Sequence, residues 1–227
     1  MKISGIQKLS MVDFDRHISC TLFTSGCNFA CPFCHNSSLV YNQEKEISEI
    51  EILNYLTKRQ GIIDSVVISG GEPTLYPDLP DFIRKLKKLN LLIKLDTNGT
   101  NPDMIKYLYE NNLIDYIAMD IKNSLANYNK TIGTIACIDK IKTSIDYIMS
   151  CGIDYEFRTT LVEEFHSIED IKNISNEIAG AKKYFLQKFV DSGHCIASSL
   201  HAIPKEIAIN YQEILKQRVP ETHLRGY

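Results

Sequence analysis

A regular alternation of short β-branched runs with amphipathic segments constrains this chain more than any other feature. The runs are ISCTLFTS (18–25), SVVISG (65–70), LIKLDTN (92–98), YIAMDIK (116–122), YEFRTTLV (155–162) and KYFLQKFV (183–190). The segments between them carry helix start signals. Ser48-x-x-Glu51 has the form of a capping box, with Ile47 and Ile52 as its staple. Asn101-Pro102 reads as N-cap and first helical residue. Ser167 opens IEDIKNISNEI, and Cys137–Met149 carries Ile138, Ile141, Ile145 and Ile148 at helical spacing. LPDFIRKLKKL and KEIAINYQEILKQ complete the helices, and the weakly patterned segment 123–136 reads as a loop. Strands separated by helices pair in parallel through right-handed crossovers, as an open doubly wound sheet or a barrel-like one. Polar residues mark several strand ends: Glu72, Asp96, Asp120 with Lys122, and Arg158. In barrel-type α/β folds the C-terminal strand ends build the active site, which accounts for that distribution.

The 227 residues suit one domain spanning 1–227, and no internal repeat, low-complexity tract or linker interrupts them. Apolar residues make up 44% and charged residues 23%, as in ordinary globular proteins. A net charge of −3 gives no basic field for nucleic acid. No apolar run approaches the ~20 residues that span a bilayer. The start, MKISGIQKLSMVDFD, has no signal-peptide pattern, so a cytoplasmic protein is expected. Seven cysteines, three crowded into one loop, form a poor disulfide framework and suit a reducing compartment.

That loop is GCNFACPFCHN, in which Cys27, Cys31 and Cys34 follow directly on the first strand. Three readings are open: an iron–sulfur cluster, a zinc site with His35 as fourth ligand, or unrelated cysteines. Unrelated cysteines do not account for the density. Structural zinc draws on paired motifs from two places, and no second CxxC or HxxxH exists here. An iron–sulfur cluster normally takes four thiolates, so three would leave one iron open to a substrate or cofactor. Cys20, Cys137, Cys151 and Cys195 stand alone. Further along, Ser69-Gly70-Gly71-Glu72-Pro73 is a strand-to-helix turn in which the glycines permit close approach and Pro73 confines Glu72 to an extended conformation. Asp96 and Asn98 share one strand face, as do Ala118, Asp120 and Lys122, where a surface ion pair is the plain alternative. In the fifth run Glu156, Arg158 and Thr160 share a face. There Arg158 suits a cofactor carboxylate, or pairs with Glu156 at the edge. His17, His166, His194, His201 and His223 show no metal spacing and read as structural or exposed.

The CxxxCxxC loop after the first strand resembles that of the radical S-adenosylmethionine (SAM) superfamily, and GGEP resembles the superfamily's GGE motif. The resemblance implies a partial (β/α)6 barrel of parallel strands and a [4Fe–4S] cluster held by Cys27, Cys31 and Cys34. The amino and carboxylate groups of SAM would occupy the open iron. It further implies that Phe33, Cys34 and His35 line the SAM pocket, and that Gly70, Gly71 and Glu72 meet the SAM amino group. DTNG and MDIK resemble the activases of glycyl radical enzymes. This implies SAM contacts from Asp96 and Lys122 and a monovalent cation bordered by Asp96, Thr97 and Asp120; Arg158 is a cofactor-binding candidate from the strand pattern alone. No catalytic residue is expected beyond the cluster and SAM ligands. The stretch ISGIQKLSMVDFDRHISCTLFTSGCNFACPFCHN is similar to the activating proteins of anaerobic ribonucleoside-triphosphate reductase in their longer form, and FRTTLV, FLQKFV and LRGY fit that picture. Phe14, Asp15 and Arg16 stand where those proteins usually have Tyr-Pro-Gly after Val-Asp, and Ser37 where proline is frequent. The implied activity is reductive cleavage of SAM and removal of a glycine hydrogen from a partner enzyme. Flavodoxin or ferredoxin would supply the electron, in an anaerobic cytoplasm. A pyruvate formate-lyase-type activase, a small-molecule radical SAM enzyme and a non-catalytic zinc module are the alternatives.

Overall fold

The computed structural model describes residues 1–191 and 193–227, an α/β chain in which neighbouring strands are consecutive in sequence. Two compact units contain it: Met1–Asn28, Ser38–Thr97 and Asn101–Ile117 form the first, and Phe29–Ser37, Asn98–Thr100 and Ala118–Tyr227 the second. The elements are β1 (Ile3–Ser10), β2 (Ser19–Thr24), α1 (Ser37–Val40), α2 (Glu49–Thr57), β3 (Ser65–Gly70), α3 (Leu79–Lys87), β4 (Leu92–Thr97), α4 (Pro102–Glu110) and β5 (Tyr116–Asp120). They continue with α5 (Tyr128–Ile132), α6 (Ile138–Ser150), β6 (Asp154–Leu161), α7 (Ile168–Glu177), β7 (Tyr184–Lys188), α8 (Lys205–Lys216) and β8 (Thr222–Arg225).

In the first unit β2, β3 and β4 are parallel, with Cys20 opposite Val66 and Val66 opposite Ile93. Strands covered on both faces become continuous apolar runs, and Leu22, Val66, Val67, Ile68, Ile93 and Leu95 are wholly buried. Burying such a side chain contributes about 1.5–3 kcal/mol. The strand β1 pairs antiparallel with β2, Ile6 facing Leu22, and was not foreseen. Helix α2 starts where expected: Ser48 accepts from the Glu51 N–H at 3.2 Å, and Ile52 and Leu56 face inward. Asn101 caps α4 through the Met104 N–H, with Pro102 in the first turn. Helix α3 buries Leu79, Phe82, Ile83 and Leu86 and turns Arg84, Lys85 and Lys87 outward.

In the second unit β6, β7 and β8 are parallel, Phe157 facing Tyr184 and Tyr184 facing Thr222. Ser167 and Asp170 form a complete capping box at the start of α7. The apolar stripe of α6 buries Ile141, Ile145 and Ile148. Segment 123–136, expected as a loop, contains the short helix α5. Tyr128 and Ile132 anchor it in the core, but five residues are too few for a periodic signal. The six expected strands appear as β2 to β7, and the fold is α/β with mainly parallel strands, as the partial (β/α)6 barrel implied by the motifs requires. Among the described residues no helix is long and apolar enough to cross a membrane.

Candidate functional site

In the first unit the GGE turn is sewn to the strand end that leads into the cysteine loop. Gly71 N–H donates to Thr24 O at 2.8 Å, Glu72 N–H to Gly26 O at 2.9 Å, and Tyr76 Oη–H to Ser25 O at 2.6 Å. Gly70 has φ +113°, and a Cβ there would strike the Thr24 backbone; a Cβ on Gly71 would sit on the Gly26 carbonyl. Only glycines let the turn lie this close, one residue before Cys27. Glu72 is extended (φ −129°, ψ 105°), as Pro73 requires. Its carboxylate is fully buried and accepts from Thr74 N–H at 3.1 Å and Thr97 Oγ1–H at 2.7 Å. Asp96 accepts from Ser69 Oγ at 3.1 Å and has Lys94 Nζ 3.8 Å away. Lys94 was missed by the sequence reading. It is 4% exposed, donates to Asp13 O and lies over the Tyr116 ring at 5.5 Å. A lysine inside the apolar run LLIKLDT was its available signal.

In the second unit the cysteine loop rests on two supports. Ala30 N–H donates to Ile132 O at 3.0 Å, and the left-handed Gly133 (φ +67°) has no Cβ to strike Ala30 O. From the other side Ala197 N–H donates to Pro32 O at 2.8 Å, Ser37 Oγ–H donates to His194 O at 2.8 Å, and Cys195 Sγ lies 3.8 Å from Phe33 O. Phe33 is buried against Phe165, with ring centroids 5.9 Å apart. Cys34 N–H donates to Cys31 O at 2.9 Å. Burial pushes the Cys31 thiol up to about 11; Lys122 opposes this, and Cys34 and Asp120 reinforce it. Burial also lowers the His35 ring, and Lys122 lowers it further.

Asp120 binds Lys122 Nζ and Arg158 Nε, each at 2.9 Å, through different oxygens. Burial alone would raise its carboxyl, but Arg158 and Lys122 hold it down at about 2. Burial alone would lower the Lys122 ammonium, but Asp120 holds it above the ordinary lysine range. Arg158 therefore pairs with Asp120, and Glu156 lies 3.6 Å from Arg225. With both oxygens already facing cations, Asp120 has little charge left for a monovalent ion. The remaining histidines are placed without metal partners among the described residues. His17 meets Asp64, His201 meets Glu164, His223 lies against Phe185, and His166 is internal. Among the described residues no three His, Cys, Asp or Glu side chains gather around a single-ion position. Cys20 is enclosed in the core, where burial pushes its thiol up to about 12.

Comparison with known proteins adds a lineage to this geometry. Residues 21–179 match the family described as the radical SAM superfamily. Over 192 residues the chain is 34% identical to a Methanocaldococcus jannaschii protein named "Putative glycyl-radical enzyme activating enzyme", covering 82% of this chain and 79% of that one. It is 27% identical over 215 residues to a "Probable GTP 3′,8-cyclase" of Sulfurisphaera tokodaii, covering 89% of this chain and 64% of the relative. A crystallised domain of a pyruvate-formate lyase-activating enzyme from Bacteroides vulgatus superposes with a TM-score of 0.60 at 17% identity. The match covers 71% of this chain and 99% of that domain, a likeness of fold.

Proposed function

We propose, on the premise that this chain belongs to the radical SAM superfamily, that it activates a glycyl radical enzyme, with anaerobic ribonucleoside-triphosphate reductase as the partner. The observation that carries the activase reading is the likeness to the Methanocaldococcus relative across most of both chains; the choice of partner rests on the resemblance of the N-terminal stretch. Cofactors are a [4Fe–4S] cluster and SAM. Bound together, they supply reductive S–C cleavage and, through it, removal of a hydrogen atom from a glycine Cα.

The residues present fit that pair. Cys27, Cys31 and Cys34 offer three thiols on one loop, and buried Cys31 holds its proton until a metal replaces it. Loop supports at Ala30, Pro32 and Ser37 hold the ligand-bearing backbone before the cluster arrives. Phe33 and His35 would line the SAM side of that loop. Gly70 and Gly71 would admit the amino acid end of SAM to their backbone, and Glu72 is already oriented as an acceptor by Thr74 and Thr97. Asp96, fixed by Ser69 and Lys94, is a second acceptor. Lys122 and Arg158 carry positive charge that Asp120 orients, suited to an anionic or electron-rich part of SAM. Positioning and exclusion of water are the protein's share of the chemistry. We take residues 1–227 as one radical SAM domain in an anaerobic cytoplasm, with flavodoxin or ferredoxin as electron donor.

A second reading, a radical SAM enzyme acting on a small molecule, draws on the likeness to the cyclase. The two readings separate in one assay. The reconstituted enzyme, SAM and a low-potential reductant are mixed with anaerobic ribonucleotide reductase, with a pyruvate formate-lyase-type enzyme, or with GTP. The expected result is that only the reductase gains activity, with 5′-deoxyadenosine formed alongside. Activation of the lyase alone would reassign the partner. Brisk SAM cleavage with GTP and no partner activation would favour the second reading.

A further inference from the structure

His166 sits in the turn between β6 and α7, 3% exposed. Its Nε2 faces the Lys122 carbonyl oxygen at 2.9 Å, and a carbonyl only accepts, so Nε2 carries the proton and donates. Nδ1 lies 3.0 Å from Val162 N and 3.1 Å from Val162 O. Burial keeps the ring below the ordinary histidine range, so Nδ1 is bare and accepts from the Val162 N–H. The ring thus bridges the end of β6 to the residue just past β5. Neighbouring bonds strengthen the bridge. Asn123 Nδ2–H donates to Phe165 O and Thr131 Oγ1, both at 2.8 Å. Tyr211 Oη–H donates to His166 O at 3.1 Å. Ile121 N–H donates to Arg158 O at 2.8 Å. Residues 121, 122 and 123 are therefore each tied down beyond the last residue of β5, and the middle one bears the ammonium that meets Asp120.

We propose that His166 is a positioning residue for Lys122. By holding the Lys122 carbonyl it fixes where a long, rotamer-rich side chain begins, and so the direction from which its ammonium can reach SAM. The proposal rests on the assignment of Lys122 to SAM made above. A histidine in this role could be exchanged for any buried residue if only core filling mattered. Here the donor on Nε2 is the functional atom, and the acceptor on Nδ1 only orients the ring.

Two variants separate these atoms. His166→Asn keeps an acceptor near the Nδ1 position and loses the donor; His166→Gln keeps a donor near the Nε2 position and loses the acceptor. Equilibrium dialysis of SAM against reconstituted holoenzyme is the readout, with iron content, melting temperature and the KM for SAM measured alongside. His166→Asn should bind SAM about fivefold more weakly, the worth of one net hydrogen bond, and raise KM rather than lower kcat. His166→Gln should bind within about twofold of the unaltered enzyme, being spared that bond. On a Lys122→Ala background His166→Asn should add nothing. Equal weakening by folded Asn and Gln variants, or an additive effect on the Lys122→Ala background, would overturn the positioning role. If the Asn variant does not fold, weak SAM binding by a folded Gln variant still overturns it, and near-normal binding supports it. Unaltered SAM affinity in Lys122→Ala itself would instead overturn the assignment of Lys122 to SAM, and this role with it.

Discussion

Asp120→Asn isolates the electrostatic knot of the second unit. The substitution preserves shape and removes a carboxylate that Lys122 and Arg158 both meet at 2.9 Å. Burial opposes ionisation, yet the two cations bring the carboxyl from an ordinary 3.8 to about 2. At about 1.4 kcal/mol per pH unit this difference is worth about 2 kcal/mol of folding stability. The side chain of Asp120 is 29% exposed, so the figure sits below the several kcal/mol of a fully buried broken pair. In a chain of this length it corresponds to a melting temperature about 4–8 °C lower. The sign with pH follows from the lowered carboxyl. Its contribution is fully present above 3.8 and is lost as pH falls towards about 2. Metal-free wild type and variant are unfolded in urea at a series of pH values, followed by circular dichroism. The gap between them should be constant from pH 7 to about 5 and close between about 4 and 2. Equal stability at pH 7, or a gap that already narrows between pH 7 and 5, would refute the reasoning.

Two other outcomes are expected. Anaerobic reconstitution should yield about four irons per chain; Cys27→Ala, Cys31→Ala or Cys34→Ala should abolish this, while alanine at Cys20, Cys137, Cys151 or Cys195 should preserve it. Iron lost with Cys195→Ala and kept with Cys31→Ala would contradict the ligand assignment. Gly71→Ala would place a methyl on the Gly26 carbonyl, so the GGE turn and the start of the cysteine loop cannot both keep their places. It should cost about 1–3 kcal/mol by overpacking, read as a lower melting temperature with weaker SAM binding; an unchanged protein would show that the close approach is not needed.

Much of the fold was legible because parallel strands covered on both faces read as apolar runs. SVVISG appears as β3 with the bounds read from its letters. The strand β1 escaped because ISGIQKLS alternates weakly and takes its place only through a long-range antiparallel pairing with β2. The strand β8 has four residues, too few for any pattern. The cysteine loop and the GGE turn were legible as contiguous motifs. What was not legible was who meets whom. Glu156 and Arg158 share a strand face in the sequence, as do Asp120 and Lys122, but a shared face does not by itself say which side chains meet. Arg158 of β6 meets Asp120 at the end of β5, and Glu156 meets Arg225 of β8, two strands away with β7 between. Lys94 and His166 were hidden for the same reason: their roles lie in partners far along the chain.

The central claim, that this chain takes a hydrogen atom from a glycine of a partner protein, has a direct measurement. Anaerobic ribonucleotide reductase carrying α-deuterated glycine is mixed with the reconstituted enzyme, SAM and reductant, and followed by electron paramagnetic resonance. With unlabelled partner a glycyl doublet is expected; with labelled partner it should collapse to a narrow signal, and deuterium should appear in 5′-deoxyadenosine. SAM cleavage that leaves the partner without a radical, or 5′-deoxyadenosine free of deuterium while a radical forms, would contradict the account.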